Sequence, residues 1–261
     1  MTPTDTSTTT TITTPRHRRQ RAVAGLAVAA CAAALLAACG DEAEAAVCEP
    51  YLGVTEQFNT EPDPATLGTL LDQVDEEAPE DLAESLSVMT GAARQVLDSG
   101  GEDFAAFETP EFAEAQGEVD PWMFENCDFD GTEEATATEY EFEGLPDEMD
   151  AGTTAILLTN EGEEAHELAI MRKKEGVTQS WDEILALPQE EGQALVDQVG
   201  GAFAPREGTK GLAVVELTEG EYVAACFVPT GTSMAADGAV TEGTGVPHFM
   251  GGMVHEFTVS A

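Results

Sequence analysis

Pro247-His248-Phe249-Met250-Gly251-Gly252-Met253-Val254-His255-Glu256-Phe257-Thr258-Val259 is the stretch on which the reading of the C-terminal half turns. The apolar alternation after Val254 predicts the last strand, into which the preceding Pro247–Met253 stretch runs. A histidine and a methionine are thus delivered to one end of a strand. Upstream, Gly220-Glu221-Tyr222-Val223-Ala224-Ala225-Cys226 reads as a strand ending on a cysteine, entered through the hairpin turn Thr218-Glu219-Gly220-Glu221. Further back, the turn Asn160-Glu161-Gly162-Glu163-Glu164 places His166 at the start of a strand over 167–172. Strands over 140–143, 153–159 and 212–217 complete the series, interrupted by one helical stretch at about 181–199. Short strands with turn signals between them predict a β-sandwich over 139–261.

The pattern changes on the N-terminal side. Residues 129–138, Asp-Gly-Thr-Glu-Glu-Ala-Thr-Ala-Thr-Glu, are polar and read as a linker. Before them the period is helical. Leu67, Leu70, Leu71 and Val74 mark one helix face, and Leu82, Leu86, Met89, Ala93, Val96 and Leu97 mark a second, opened at Pro79 and closed by Gly100-Gly101. Phe104, Phe107 and Phe112 belong to a shorter third segment, and Trp122 and Phe124 lead into Cys127. These apolar residues read as the core of a small bundle over 48–128, with no titratable constellation beside them. The expected fold class is α+β in two domains: a disulfide-tied helical domain, then an all-β Greek-key sandwich with a helical insertion.

The first residues read as an address. Arg16, Arg18, Arg19 and Arg21 precede an apolar run from Ala22 to Ala38, which closes on Leu36-Ala37-Ala38-Cys39. This is the anatomy of a secretory signal. Its ending resembles a bacterial lipobox, which implies cleavage after residue 38, lipidation of Cys39, and a tether over 39–47. Val28-Ala29-Ala30-Cys31 also fits the short pattern, but cleavage there would leave an apolar stub. An uncleaved single-span anchor is the alternative, and the alanine-rich run is borderline in length for one.

Charge removes several function classes. The chain holds 51 Asp and Glu against 10 Lys and Arg, a net charge of −41, which becomes −44 when the leader with its four arginines and one aspartate is removed. Nucleic-acid binding and a polybasic grip on lipid both need clustered cations, so neither is expected. Membrane contact is expected through the lipid alone. The acidity fits either a salt-rich or an acidic medium.

Five cysteines take different roles. Cys31 leaves with the signal and Cys39 takes the lipid. An exported protein permits disulfides. Cys48 and Cys127 bracket the helical segment and are expected to pair, which leaves Cys226 as an odd thiol in β-rich sequence.

Beyond the leader only three histidines occur: His166, His248 and His255. Two imidazoles, a thiolate and a thioether are the donor set of a blue-copper site, with the methionine as a weak axial ligand. The order and spacing of Asn160…His166, Gly220-x-Tyr222-x-x-x-Cys226 and Pro247-His248-x-x-x-Gly252-Met253 resemble the cupredoxins of the plastocyanin and azurin type over 139–261. The resemblance implies one copper ion, with His166, Cys226 and His248 as equatorial ligands and Met253 as the axial one. Met250 is the second choice for the axial position, out of the Gly-Met register, and His255, past the expected site, reads as structural or exposed. The sequence departs from the family twice. There are 21 residues between Cys226 and His248, where the family has a short loop, and Glu167 stands where an asparagine often hydrogen-bonds the thiolate. The loop is expected to fold outward and return His248, and the run 161–164 to be a solvated turn.

The leading functional expectation is a lipid-anchored extracytoplasmic copper protein that exchanges single electrons with a redox partner. The alternatives are copper binding and delivery to a donor or acceptor protein, and a metal-free interaction module. Hydrolase signatures such as G-x-S-x-G and H-E-x-x-H are absent from the sequence.

Overall fold

The computed structural model describes residues 45–60, 63–235 and 238–260. The expected leader, with Cys31, and the lipidation site Cys39 lie outside the described residues. No helix among the described residues is long and apolar enough to cross a membrane.

Four helices come first: α1 (Cys48–Asn59), α2 (Pro64–Glu77), α3 (Ala83–Asp98) and α4 (Pro110–Asn126). Local chemistry sets their ends. The Asp63 carboxylate accepts from Thr66 N–H and the Thr109 hydroxyl from Phe112 N–H, and each is followed by a proline at the first helical position. Gly100 and Gly101 close α3 with φ of 72° and 86°, where the Gly101 N–H reaches back to Val96 O at 2.8 Å. Val47, Tyr51, Val74, Leu86, Val119 and Met123 pack in the centre of the bundle. The Cys48–Cys127 disulfide ties the first helix to the end of the last, and Cys226 is free and buried. Both outcomes match the expected pairing.

Two sheets follow. One has the order β2 (Glu141–Glu143), β1 (Gly131–Thr138), β4 (Gly152–Asn160), β7 (Lys210–Leu217). The other has the order β3 (Glu148–Asp150), β11 (Val254–Ser260), β8 (Gly220–Ala225), β5 (His166–Lys173), β6 (Val196–Ala204). Parallel pairing of β1 with β4 and of β3 with β11 makes both sheets mixed. The chain crosses between sheets after β2, β3, β4, β6 and β7, giving the sandwich that the resemblance implied. Ile156, Leu158, Leu168, Ile170, Val215, Leu217, Tyr222 and Phe257 fill the space between the sheets.

Helices cover the outer faces. The alternate residues Ala155 and Leu157 of β4 are also buried, since α4 packs on that side. The free edge of β7 is hydrogen-bonded by the bundle: Leu212 N–H donates to Asp120 Oδ2 at 2.8 Å, and Asn59 Nδ2 donates to Val214 O at 3.0 Å. An open strand edge is thereby closed by helix side chains. On the opposite sheet, α5 (Trp181–Leu185), with a Ser180/Glu183 capping box, packs Trp181 and Ile184 on Met171, Val196 and Val223. A second short helix, α6 (Gln189–Gln193), follows it.

Several boundaries differ from expectation. The stretch 129–138 is not a linker: residues 131–138 form β1, with Ala135 and Ala137 inward and Thr and Glu outward. Small inward side chains give a weak strand signal but suit a narrow part of the sandwich. The helical interruption is shorter than 181–199, because β6 begins at Val196. The second helix opens at Ala83 rather than Pro79, after a turn at 80–82. Val47, placed in the tether, is fully buried in the bundle core. Helix α1 carries only a weak apolar stripe and had no counterpart in the expected elements.

Candidate metal centre

His166 is the first residue of β5, Cys226 directly follows β8, and His248 opens a short 3-10 turn over His248–Gly251. All three are completely buried, and one ligand atom from each lies within 4.8 Å of the others. Cys226 Sγ is 3.4 Å from His248 Nδ1, and the two imidazole centroids are 5.1 Å apart.

The long connection between Cys226 and His248 is fastened at its base. His248 N–H donates to Val228 O at 3.0 Å, Phe249 N–H to Cys226 O at 2.8 Å, and Thr230 N–H to Val246 O at 3.0 Å. Pro229 and Pro247 form a bridge, and beyond it β9 (Ser233–Met234) pairs with β10 (Val240–Thr241). The extra residues therefore leave and re-enter at one point and return His248 to the cysteine.

Met253 is 0% exposed in the same core cluster as Cys226, whereas Met250 is 64% exposed. Cys226 N–H donates to Met253 O and Met253 N–H to His248 O, each at 3.2 Å. The backbone thus binds Met253 to both neighbouring candidates, and the alternative Met250 faces outward. His255 stands apart from the cluster, with Nε2 3.1 Å from Pro146 O.

The turn before His166 is organised by Asn160, itself fully buried. Its Nδ2 donates to Glu164 O and Ala204 O at 2.7 and 2.9 Å, and its Oδ1 accepts from Gly162 N–H at 2.8 Å. Gly162 lies so close to His166 that an added Cβ would stand 2.7 Å from Nε2. Only glycine permits that approach.

Two carboxylates border the imidazoles. Glu164 Oε2 is 3.0 Å from His248 Nε2, and Glu139 Oε1 is 3.6 Å from His166 Nε2, beyond hydrogen-bond reach. Glu139 Oε1 accepts from the N–H groups of Glu163 and Glu164. Burial alone would raise its carboxyl pKa, but those donors hold it below the ordinary value. The run 161–164 is accordingly not a wholly solvated turn. Gly162 lets it fold back, and Glu164 points into the site. In a chain with 51 acidic residues, neither Glu139 nor Glu164 carries a local signal that separates it from the others.

Glu167 lies on the opposite side of β5 from His166. Its N–H donates to Cys226 Sγ at 3.3 Å, and its carboxylate accepts from Phe227 N–H. The segments bearing the histidine and the cysteine are therefore pinned together through this residue, by its main chain and side chain in place of an asparagine amide. Burial pushes the Glu167 carboxyl above its usual pKa, against that N–H.

Burial sets the chemistry of the donors. It pushes the Cys226 thiol up to about 11, opposed by the N–H groups of Glu167 and Val228 and reinforced by the Glu167 and Glu164 charges. The His166 pKa is lowered, first by burial and then by His248, so this ring is neutral near pH 7. Both His166 ring nitrogens lack a hydrogen-bond partner. A buried, unpaired polar group costs about 1–3 kcal/mol. Nε2 is blocked by Gly162 and Glu139, which leaves Nδ1 as the free donor toward Cys226 and His248. Two buried imidazoles beside a cysteine, dry and preassembled, fit one type 1 copper ion.

Among solved structures, the chain is similar to a dithionite-reduced auracyanin from the photosynthetic bacterium Roseiflexus castenholzii. The identity is 18%, over 50% of this chain and 97% of that one, with a TM-score of 0.31. It is also similar to auracyanin A, described as a blue copper protein, from Chloroflexus aurantiacus, at 15% identity over 49% of this chain and 98% of that one, TM-score 0.30. Reduced rusticyanin matches at 18% over 49% and 78%, TM-score 0.28. No family model and no curated protein matches the chain.

Proposed function

We propose that this protein would hold one copper ion through His166 Nδ1, Cys226 Sγ and His248 Nδ1, with Met253 as a fourth, weaker donor, and pass single electrons to and from a redox partner. The observation that supports the reading is the buried His166–Cys226–His248 cluster, in which neither His166 nitrogen has a protein partner. When bound, copper supplies one-electron chemistry between Cu(I) and Cu(II). The chain's own residues do the rest. Asn160 and the fastened base of the 227–247 connection hold the donors in place, so little rearrangement accompanies a change of charge. The Cys226 proton leaves on metal binding, as the thiol's raised pKa requires. With Met253 as a fourth donor no position stays open to substrate, which favours an electron carrier over a catalyst. Complete burial of the three candidate donors favours permanent holding over hand-off.

The lipobox at Leu36–Cys39 supports an exported protein anchored outside the cytoplasm through Cys39. Its acidic surface favours a partner with a basic docking face. The test is reversible voltammetry of the copper-loaded protein. A one-electron wave tied to an intense visible band is expected. Copper that binds without a reversible wave would point to storage or delivery instead.

A further inference from the structure

Resting on the copper reading, we propose that Glu164 is a positioning residue of the centre: its carboxylate fixes the tautomer and orientation of His248 and lowers the reduction potential. A carboxylate facing a ring nitrogen at 3.0 Å acts as the acceptor, so His248 Nε2 carries the proton. The lone pair then lies on Nδ1, which faces Cys226 Sγ at 3.4 Å. The ring is thereby held in the form a metal requires, and the anionic acceptor makes it a stronger donor.

Glu164 is held from several directions. Its N–H donates to Glu139 Oε1 at 2.9 Å, its carbonyl accepts from Asn160 Nδ2 at 2.7 Å, and Oε2 also accepts from Gly231 N–H. Gly231 belongs to the long Cys226–His248 connection, and Ala165 N–H donates to Thr232 O at 2.8 Å in the same place. These bonds give the extra residues a role. They fasten the connection to the 161–165 turn and orient the carboxylate that faces the completely buried His248. A fixed negative charge against the buried ring favours the more positive oxidation state.

The test compares the full protein with Glu164→Gln, Glu164→Ala and Glu148→Gln, the last removing an exposed charge on β3. Each is loaded with Cu(II) and followed by spectroelectrochemistry and electron paramagnetic resonance. In the metal-free proteins, ¹⁵N shifts report the His248 tautomer. Wild type is expected to show the Nε2-protonated form, Glu164→Gln a positive shift in midpoint potential, and Glu164→Ala a mixed tautomer with roughly 10–100-fold weaker copper affinity. Glu148→Gln is expected to match wild type. A blue wild type whose two Glu164 variants keep its potential, affinity and spectrum overturns the role of Glu164 alone. An Nδ1-protonated His248 in the metal-free wild type does the same, even if a variant fails to fold. A wild type without a blue band overturns the copper reading, and this role with it.

Discussion

His248 Nδ1 lies 3.4 Å from Cys226 Sγ, although the two residues are 22 positions apart in the chain. Closing a flexible loop of that length costs entropy on every visit to the site. Here the cost is met outside the site, by Pro229–Pro247 pairing and the hydrogen bonds from Thr230, His248 and Phe249. The two candidate donors are held together by the fold itself.

Two methionines compete for the role of fourth donor in the proposed site. Met253→Leu is expected to keep the copper site but raise its potential and alter its visible spectrum, because a weak axial thioether tunes the metal. Met250→Leu, changed at an exposed position, is expected to leave both unaltered. Equal behaviour of the two variants would count against Met253.

Asn160 organises the turn into His166. Asn160→Ala leaves Gly162 N–H and the Glu164 and Ala204 carbonyls without their partner, an expected loss of about 3 kcal/mol in stability. Denaturant titration checks it. Accelerated loss of copper should accompany the loss of stability, since Glu164 and His166 move with the turn.

Asp120 gives stability a pH dependence. Burial raises its pKa to about 6, against N–H and O–H donors from Gln116, Leu212 and Tyr51. An acid with a raised folded-state pKa binds its proton more readily when folded. Its contribution is therefore complete below the unfolded value near 3.9 and lost as pH rises through about 6. The difference in unfolding free energy between wild type and Asp120→Asn should change by about 3 kcal/mol across that window. A difference that stays flat with pH would show that the carboxyl titrates normally.

The Cys48–Cys127 bond spans 79 positions and fixes the ends of the helical bundle. Replacing both cysteines with serine is expected to cost about 4 kcal/mol on the chain-entropy estimate. The bundle also closes the edge of β7 through Asp120 and Asn59. Its loosening should therefore speed hydrogen exchange at Leu212 N–H, which mass spectrometry or NMR can follow.

The buried His166–Cys226–His248 cluster was legible as a candidate because its residue types are scarce: three histidines beyond the leader and one cysteine left after pairing. Strand alternation around Cys226 and Val254 placed them in the right order. The neighbours of the donors were harder to read. Glu164 and Glu139 owe their positions to tertiary folding and look like any other acidic residue in this chain. Strand β1 escaped because Ala135 and Ala137 are weakly apolar and the outward Thr and Glu resemble a linker. Strand β6 contains Gly200-Gly201, which no strand pattern favours; Gly201 is needed where its backbone passes close to Leu168 O.

The central claim is a preformed thiolate-containing copper site, and stoichiometric Cu(II) titration followed by visible absorption tests it most directly. An intense blue band that saturates at one copper per chain and is lost in Cys226→Ser and His166→Ala is the result the geometry predicts. A protein that stays colourless through the titration, or a band that survives Cys226→Ser, would contradict it.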